Sequence, residues 1–400
     1  GVQIQNLEVM PIPIARYALP GTNSRGGVHV RRSPFEKNLL DILFFDGNGR
    51  DISHSIAKTI ERIFYREDFP RVAFDEVGDI DYPVRVTQSY AQDFLQHIDV
   101  SAIESAGFKI VIDYSCGAAT QVFPSILGSL DCEVISLNAF LHPERLSRSA
   151  EEFEQALVQL ARIVKSTGAN MGFLIDAGAE KIFCVDEKGE IIHSNRLASM
   201  ITLLYLEQSQ PRKLAVPVSV PRQVERLARE RAVELVYTAN DGGSLIKATE
   251  DAGVQLALDI TGGLIFPEFH FAFDGMFSIV KILEMLAKAD LTLRKLQQRL
   301  PKRALVVAQV PCPWEAKGTV MRRLDEDSQS ENRLLVDGIR INFEDAWVLV
   351  LPDRDRAEYQ VLAEAGNNGF AEKLLAQYQQ KLADWIRSGK TLTPGEMANS

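Results

Sequence analysis

The chain has 400 residues, 46% of them apolar and 24% charged, which is the composition of a globular protein with two to four domains. Its net charge of -10 excludes nucleic acid and anionic membranes as main partners, because no long run of lysine and arginine offsets the repulsion from phosphates. The four cysteines are widely separated and form no CxxC pair, so we exclude a disulfide framework and predict a cytoplasmic protein with reduced thiols.

The first elements form an incomplete α/β unit. Prolines at positions 11 and 13 open an apolar stretch typical of a helix, residues 12–19. Two strands follow, 28–30 and 39–45, and the turn residues DGNGRD close the second. Isoleucines at helical spacing then predict a helix over 51–66. The chain begins abruptly in a strand-like pattern, so we expect it to be a fragment of a longer protein.

Two consecutive rounds of strands and helices occupy the middle of the chain. The strands in FKIVIDYS, EVISLNA and MGFLID are apolar on both faces and alternate with helical segments, a pattern that predicts a parallel sheet covered on both sides. A second round, with VPVSVP, LVYT and LALDI as its strands, has a similar size and layout. This similarity of layout is compatible with repeated domains.

The character of the sequence changes after Pro301. The stretch RALVVAQVPCPW and the charged stretch RRLDEDSQSENR come first, and GIRINFEDAWVLVLPD then predicts two alternating strands around an acidic turn. A third strand and a long amphipathic helix follow, with a polar tail after Arg387. This order of elements predicts a small, separate α+β domain.

Five stretches, in this order along the chain, carry a resemblance to a known family: MPIPIARYAL, GGVHVRRSP, GFLIDAGAEK followed by VDEKG, DITGGLIFPEFHFAFDG, and DGIRINFEDAWVLVLPD followed by VLAEA. Over nearly its whole length the chain resembles the α-D-phosphohexomutases, the phosphomannomutases and phosphoglucomutases. The resemblance implies three related α/β domains, the first one truncated, and a small α+β C-terminal domain around a central cleft. The implied boundaries are 1–84, 85–192, 193–300 and 301–400.

The resemblance also implies a phosphoserine that phosphorylates a hexose phosphate beside a Mg²⁺ loop with three carboxylates. The family pattern DGDGDR corresponds to residues 176–181, DAGAEK, where Asp176 and Glu180 remain and Gly178 replaces the middle carboxylate. Because Mg²⁺ gains little from so few carboxylates, we expect its binding to be weak or lost. The alternative is a tight turn in which Gly178 supplies an unusual backbone angle and Asp176 accepts hydrogen bonds from amides.

In the serine loop, Ser33 lies at the position of the phosphorylated serine. Its neighbours Pro34 and Phe35 replace the histidine and asparagine of the family pattern TASHNP, so no base lies beside it to activate the hydroxyl. Ser33 is then the candidate nucleophile or a turn residue. Arg31 and Arg32 precede it and form an anion site or lie in solvent.

Two further loops correspond to the sugar loop and the phosphate loop of the family. In the sugar loop, Asp259 and Thr261 keep a carboxylate and a hydroxyl that can meet sugar hydroxyls, or they form an ordinary strand end with a glycine turn. In the phosphate loop, Arg354 and Arg356 are the candidate ligands. The carboxylates of Asp353 and Asp355 replace two hydroxyls of this loop and would repel a phosphate, so we expect this loop to have lost its phosphate binding.

The altered residues are those that carry charge, whereas the apolar framework is retained. We interpret the chain as a catalytically degenerate phosphohexomutase module of nucleotide-sugar metabolism that binds a hexose phosphate. GGVHVR, LFFDGNGRDIS and IFPEFHFAFDG most resemble the mutase-like C-terminal half of mannose-1-phosphate guanylyltransferase fusion proteins, which implies a nucleotidyltransferase domain upstream. The alternative is an active phosphomannomutase or phosphoglucomutase with a phosphoserine at Ser33. Assembly into a homo-oligomer stays open.

Overall fold

The computed structural model describes residues 1–34, 36–251 and 253–389. Three α/β units and a C-terminal sheet unit follow one another along these residues. We call them domains I to IV and keep the boundaries predicted from the sequence as labels.

Domain I contains an antiparallel hairpin in which Gly26 pairs with Asp46 and Arg32 pairs with Leu40. Its elements are β1 (Ile4–Gln5), α1 (Ile12–Tyr17), β2 (Gly26–Arg32), β3 (Leu40–Asp46), α2 (His54–Arg66) and β4 (Ile80–Asp81). None of the residues of α2 is buried, so the isoleucine spacing that predicted this helix marks an apolar face that lies at the surface.

Domain II is a five-stranded sheet flanked by helices. Its elements are α3 (Val86–Gln96), α4 (Val100–Ala106), β5 (Lys109–Asp113), α5 (Phe123–Leu127), β6 (Glu133–Leu137), α6 (Ala150–Thr167), β7 (Met171–Ile175), β8 (Ile182–Asp186) and β9 (Ile191–Ile192). Strands β6, β5 and β7 are parallel, as predicted, and β8 and β9 add antiparallel neighbours at one edge. Helix α6 begins with a capping box between Ser149 and Glu152 and ends at Gly168, whose φ is 65°.

Domain III repeats this layout. Its elements are α7 (Ser194–Gln208), β10 (Lys213–Pro217), α8 (Arg222–Glu230), β11 (Glu234–Thr238), α9 (Gly242–Ala248), β12 (Val254–Leu258), β13 (Leu264–Ile265), α10 (Gly275–Ala289) and α11 (Leu293–Gln298). The strand order β11-β10-β12-β13, with the first three parallel and the last antiparallel, matches β6-β5-β7-β8 of domain II.

Domain IV is an antiparallel sheet packed against two helices, and the sequence-based order of its elements was incomplete. Its elements are β14 (Ala304–Pro311), α12 (Trp314–Asp327), β15 (Asn332–Leu334), β16 (Ile339–Asn342), β17 (Ala346–Pro352), β18 (Glu358–Ala365) and α13 (Asn368–Gly389). Part of the charged stretch RRLDEDSQSENR, for which the sequence predicted no element, belongs to α12. This helix buries only a narrow face, which includes Val320 and Leu324, so its charged residues follow the solvent side.

One hydrophobic core runs through domains I to III, and a second core fills domain IV. A smaller apolar cluster, which includes Val218 and Trp347, lies between domains III and IV with a buried arginine beside it. Arg340 is fully buried, donates to the carbonyls of Val218 (2.8 Å) and Val220 (3.1 Å), and pairs with Glu225 at 2.8 Å. Its guanidinium lies 4.5 Å above the ring of Trp347. Domain IV is thus fixed to domain III by hydrogen bonds that satisfy a charge inside the interface.

The cysteines contribute thiols and no disulfide among the described residues: Cys116, Cys184 and Cys312 are buried and Cys132 is half-buried. Within the described ranges, no helix combines the length and the apolar character needed to cross a membrane.

Asp274 joins domain II to the start of α10 inside the shared core. Its carboxylate accepts hydrogen bonds from the backbone N–H of Phe277 (3.0 Å) and from the hydroxyl of Tyr90 (2.6 Å). The residue is 3% exposed, and burial raises the pKa of its carboxyl to about 6. Asp274 therefore acts as the N-cap of α10 and as the partner of a buried phenol.

We expect Asp274→Ala to lower the free energy of unfolding by about 2–4 kcal/mol, because it removes a helix cap and leaves the Tyr90 hydroxyl without a partner. Asp274→Asn should cost less, because its amide oxygen can still accept from the N–H of Phe277 and its NH₂ group can donate to the hydroxyl oxygen of Tyr90. The folded pKa lies above the unfolded value of 3.8. The folded state thus holds the extra proton, and the wild type should lose stability relative to Asp274→Asn as the pH rises from about 4 to about 6. Urea unfolding at both ends of this range measures the effect, and a pH-independent difference would contradict it.

Candidate functional site

The candidate metal loop, residues 176–181, connects β7 to β8 at the carboxyl end of the domain II sheet. Asp176 Oδ1 accepts hydrogen bonds from the backbone N–H groups of Glu180 (2.7 Å) and Lys181 (2.8 Å). The expectation that Gly178 supplies the unusual backbone angle is wrong: Ala179 takes the left-handed conformation, with φ 63°. The loop is therefore closed by its own aspartate, as the turn alternative predicted.

Two arginines of domain I reach Glu180 from across the domain boundary. Arg16 Nη2 lies 3.5 Å from Glu180 Oε1 and 2.9 Å from Asp51 Oδ1. Arg31 Nη1 lies 3.4 Å from Glu180 Oε2, and Arg31 Nε lies 3.2 Å from Asp41 Oδ2. Both oxygens of Glu180 therefore face guanidinium groups.

The charges at this site are partly withdrawn from water. Burial raises the pKa of the Asp176 and Glu180 carboxyls, and the nearby arginines oppose that rise. Burial, together with the positive charges of Arg31 and Arg16, lowers the pKa of His29 to about 4, so this imidazole is neutral at physiological pH. The site thus consists of compensated ion pairs and one neutral histidine.

The residues of the loop do not fit the magnesium ion that the family resemblance implies. Magnesium requires several free oxygen ligands in near-octahedral geometry. Here Asp176 Oδ1 is taken by two amides, and Glu180 is taken by two arginines. Within residues 1–34, 36–251 and 253–389, no group of three or more histidine, cysteine, aspartate or glutamate side chains is placed to hold a metal.

The candidate sugar loop lies directly against the metal loop. Lys181 Nζ is 3.2 Å from Asp259 Oδ2 and also donates to the hydroxyl of Thr261. Asp259 Oδ1 accepts from the N–H groups of Thr261 (2.8 Å) and Gly263 (2.7 Å). Gly262 has φ 101°, and a Cβ there would lie 2.3 Å from the carbonyl oxygen of Ile182, so the close approach of the two loops requires glycine.

The serine loop is docked on domain II. The hydroxyl of Ser147 donates to the Ser33 carbonyl, and Arg148 N–H donates to the Pro34 carbonyl at 2.9 Å. In the part of the chain that the structure describes, no residue forms a hydrogen bond with the Ser33 hydroxyl, and Phe35 lies outside the described residues. Arg32 donates to the Lys37 carbonyl at 3.1 Å, away from Glu180. Arg31 therefore pairs with the metal loop, whereas Arg32 holds the backbone of the serine loop.

The candidate phosphate loop, between β17 and β18, is occupied by its own carboxylate. Asp353 Oδ1 accepts from the N–H groups of Asp355 (2.9 Å) and Arg356 (2.8 Å). Lys317 donates to the carbonyls of Asp353 and Arg356 and holds the loop from beneath. Two N–H groups and two carbonyls of this turn are therefore already paired.

The two arginines of the phosphate loop contact carboxylates of other segments. Arg354 lies 3.5 Å from both Asp241 and Asp337, and Arg356 lies 3.9 Å from Glu36 in the serine loop. Their side chains are 67% and 63% exposed. They are exposed surface charges paired with carboxylates, and not a preformed phosphate site.

The four predicted loops meet around one cleft through three contacts: Arg31 with Glu180, Lys181 with Asp259, and Glu36 with Arg356. Sequence reasoning missed Arg16 and Lys317, which support two of these loops. Arg16 lies 164 positions from Glu180, and no local pattern marks such a partner.

A cavity of about 1160 Å³ opens beside these loops. It lies between the N-terminal segment and the β2–β3 hairpin, and its wall includes Arg31, Arg32 and Gly178. The remaining lining comes from domain I and from a few domain II loop residues, so the cavity reaches one side of the metal loop.

Comparison with known proteins identifies three consecutive segments of one family. Residues 1–71, 88–189 and 193–304 match the models for Phosphoglucomutase/phosphomannomutase, alpha/beta/alpha domains I, II and III. Together they span most of domains I to III.

Similar proteins include mutases from archaea and bacteria. The Phosphoglucosamine mutase of Methanococcus vannielii is 24% identical over 382 residues, covering 94% of this chain and 84% of that protein. The Phosphoglucomutase/phosphomannomutase of Thermococcus kodakarensis is 24% identical over 376 residues, covering 94% and 82%. A crystal structure of a phosphoglucomutase/phosphomannomutase family protein from Burkholderia thailandensis has a TM-score of 0.82 at 18% identity and covers 99% of this chain and 84% of that one, which establishes the shared fold.

Arg16→Met should lower the free energy of unfolding by about 3 kcal/mol, because it removes a buried cation and leaves Glu180 without one of its two partners. Arg32→Met is the matched control, since the one hydrogen bond of the Arg32 side chain among the described residues goes to the Lys37 carbonyl, and its effect should stay within about 0.5 kcal/mol. Urea unfolding of both variants measures the difference. Equal effects of the two substitutions would contradict the role given to Arg16.

Proposed function

The chain belongs to the phosphohexomutase family, and on this basis we propose that it is a sugar-phosphate module of nucleotide-sugar metabolism whose mutase turnover is weak or lost. The module binds a hexose phosphate in the cleft where the four loops meet. The proposal concerns the loss of phosphoryl transfer, since the family fold itself is retained.

The observation that carries the proposal is the self-occupied phosphate loop. Relatives with small hydroxyl residues in this loop can offer backbone amides to a phosphate. Here Asp353 takes the amides of Asp355 and Arg356, so a phosphate would have to displace a carboxylate that is covalently tied to the loop. It would also meet the repulsion of that carboxylate in a partly dry site.

The serine and metal loops support the same conclusion. Ser33 lacks an adjacent base, and a serine hydroxyl is a weak nucleophile without one. Asp176 and Glu180 are engaged with amides and arginines, so we propose that Mg²⁺ binding is weak or lost. Without a metal, the charge that builds up during phosphoryl transfer has no divalent partner.

The sugar loop supports retained binding. Asp259 and Thr261 hold a carboxylate and a hydroxyl at the junction with Lys181, and such groups can exchange their internal hydrogen bonds for sugar hydroxyls. We propose that this binding serves assembly or regulation of a mannose-1-phosphate guanylyltransferase-type nucleotidyltransferase in the same chain. The coding sequence upstream of residue 1 tests this part, since it should specify a glycine-rich nucleotide-binding segment.

The second candidate is an active mutase that uses a phosphoserine at Ser33. Several relatives carry the name phosphoglucosamine mutase, and this candidate assumes that the present chain has kept such an activity. The contacts of the serine loop with Ser147 and Arg148 use the carbonyls of Ser33 and Pro34 and do not involve the Ser33 hydroxyl.

Incubation with radiolabelled glucose 1,6-bisphosphate and Mg²⁺ separates the two candidates. We expect no stoichiometric label on the protein and no conversion of hexose 1-phosphates, because no base activates Ser33. Ser33→Ala is the control for background labelling. Stoichiometric labelling that disappears in Ser33→Ala, together with turnover, would overturn the proposal in favour of the active mutase.

Calorimetry tests whether the cleft binds a ligand at all. Solved complexes of Aspergillus fumigatus N-acetylphosphoglucosamine mutase contain glucose 1,6-bisphosphate or GlcNAc-6P, and these two compounds are suitable probes. We expect binding without turnover, weakened about tenfold, or 1.4 kcal/mol, by Asp259→Asn, which removes the charge at the sugar loop. Glu315→Gln, on domain IV, is the matched control. Absence of binding to the wild type would reduce the module to a purely structural role.

A further inference from the structure

Arg31 lies where the metal loop would need space for a cation. It extends from the end of β2 in domain I toward the domain II loop, with 23% of its side chain exposed. Its guanidinium contacts Glu180 at 3.4 Å and Asp41 at 3.2 Å. A guanidinium remains charged at every physiological pH, so this positive charge is permanent.

Gly178 makes room for that guanidinium. A Cβ at position 178 would lie 3.0 Å from Arg31 Nη1, 3.4 Å from Asp176 Oδ2 and 2.9 Å from Ile12 Cδ1. Position 178 has no left-handed backbone angle that would call for glycine, so the requirement there is one of space. It is also the position at which the family pattern carries its middle carboxylate. The absence of a side chain at position 178 therefore provides the space that the Arg31 guanidinium occupies.

The remaining carboxylates of the loop are balanced by arginine. Glu180 Oε1 faces Arg16 and Glu180 Oε2 faces Arg31, while Asp176 has its Oδ1 on two amides and lies close enough to Arg31 for that charge to oppose the rise of its pKa. A divalent ion entering this loop would be repelled by the guanidinium groups and would have to break their ion pairs.

We infer that Arg31 is the resident cation of this loop, and that it replaces both a divalent metal ion and the carboxylate that would have helped to hold it. The link between domains I and II is then independent of Mg²⁺. The inference rests on the proposed function for the identity of the loop, but it concerns ion binding and makes no claim about turnover.

Titration with Mn²⁺, followed by the paramagnetic resonance of the free ion, tests this inference. The wild type should bind no stoichiometric Mn²⁺ at the loop. Arg31→Ala combined with Gly178→Asp removes the competing charge and restores three carboxylates, and it should bind one ion at least tenfold more tightly than the wild type. Arg32→Ala combined with Gly178→Asp is the matched control, because Arg32 points to the Lys37 carbonyl, and it should behave like the wild type.

Stoichiometric Mn²⁺ binding by the wild type that Glu180→Gln abolishes would overturn the inference. Failure of the folded Arg31→Ala, Gly178→Asp protein to gain a site would overturn it as well, because Arg31 would then not be the group that excludes the ion. If that variant does not fold, the midpoint of thermal unfolding of the wild type tests whether Mg²⁺ binds at the loop. It should be the same in MgCl₂ and in NaCl of equal ionic strength, and a Mg²⁺-specific increase that Glu180→Gln removes would count against Arg31.

These results are separable from the proposed function. Serine-dependent labelling of a wild type that binds no Mn²⁺ would overturn the loss of turnover and leave the role of Arg31 intact. Mn²⁺ binding at the loop without labelling would overturn the role of Arg31 and leave the loss of turnover intact.

Discussion

The ion pairs from Arg16 and Arg31 of domain I to Glu180 of domain II set the geometry of the cleft. Glu180 lies in the short loop between the buried strands β7 and β8, so without cations at its oxygens its charge would be costly to keep beside the core. The two arginines provide these cations and also hold the β2–β3 hairpin and helix α1 against the sheet of domain II. Neutralising one carboxylate therefore determines where the serine loop lies.

The same solution recurs at the other loops. Asp176, Asp259 and Asp353 each accept two backbone N–H groups of their own turn. Such a turn is stable without a ligand, because its amides are satisfied by a group that cannot diffuse away. The strands and helices of the fold keep their packing. The charged groups of the loops are mostly paired with groups of their own turn or of a neighbouring loop.

The sequence predicted those parts of the fold that depend on local periodicity. The parallel strands of domains II and III follow from residues that are apolar on both faces, and these strands are confirmed. The position predicted for one of them, VPVSVP, was wrong by about three residues, because β10 covers Lys213–Pro217. Helix α12 was missed because its buried face is narrow and charged residues dominate its sequence. The backbone angle assigned to Gly178 was wrong, since the angle depends on hydrogen bonds to Asp176 and falls on Ala179. Arg16 could not be predicted, because Asp51 and Glu180 approach it only in the folded chain.

The joint between domains III and IV has an optical consequence. The three tryptophans of the sequence, Trp314, Trp347 and Trp385, all belong to domain IV. Trp347 is fully buried beneath Arg340, and its indole N–H donates to Glu364 at 2.6 Å, whereas Trp314 is 53% exposed. Emission excited selectively from indole therefore originates in the last quarter of the chain. Detachment of that domain would expose Trp347 to water and shift its spectrum to the red, while the first three domains would contribute no background.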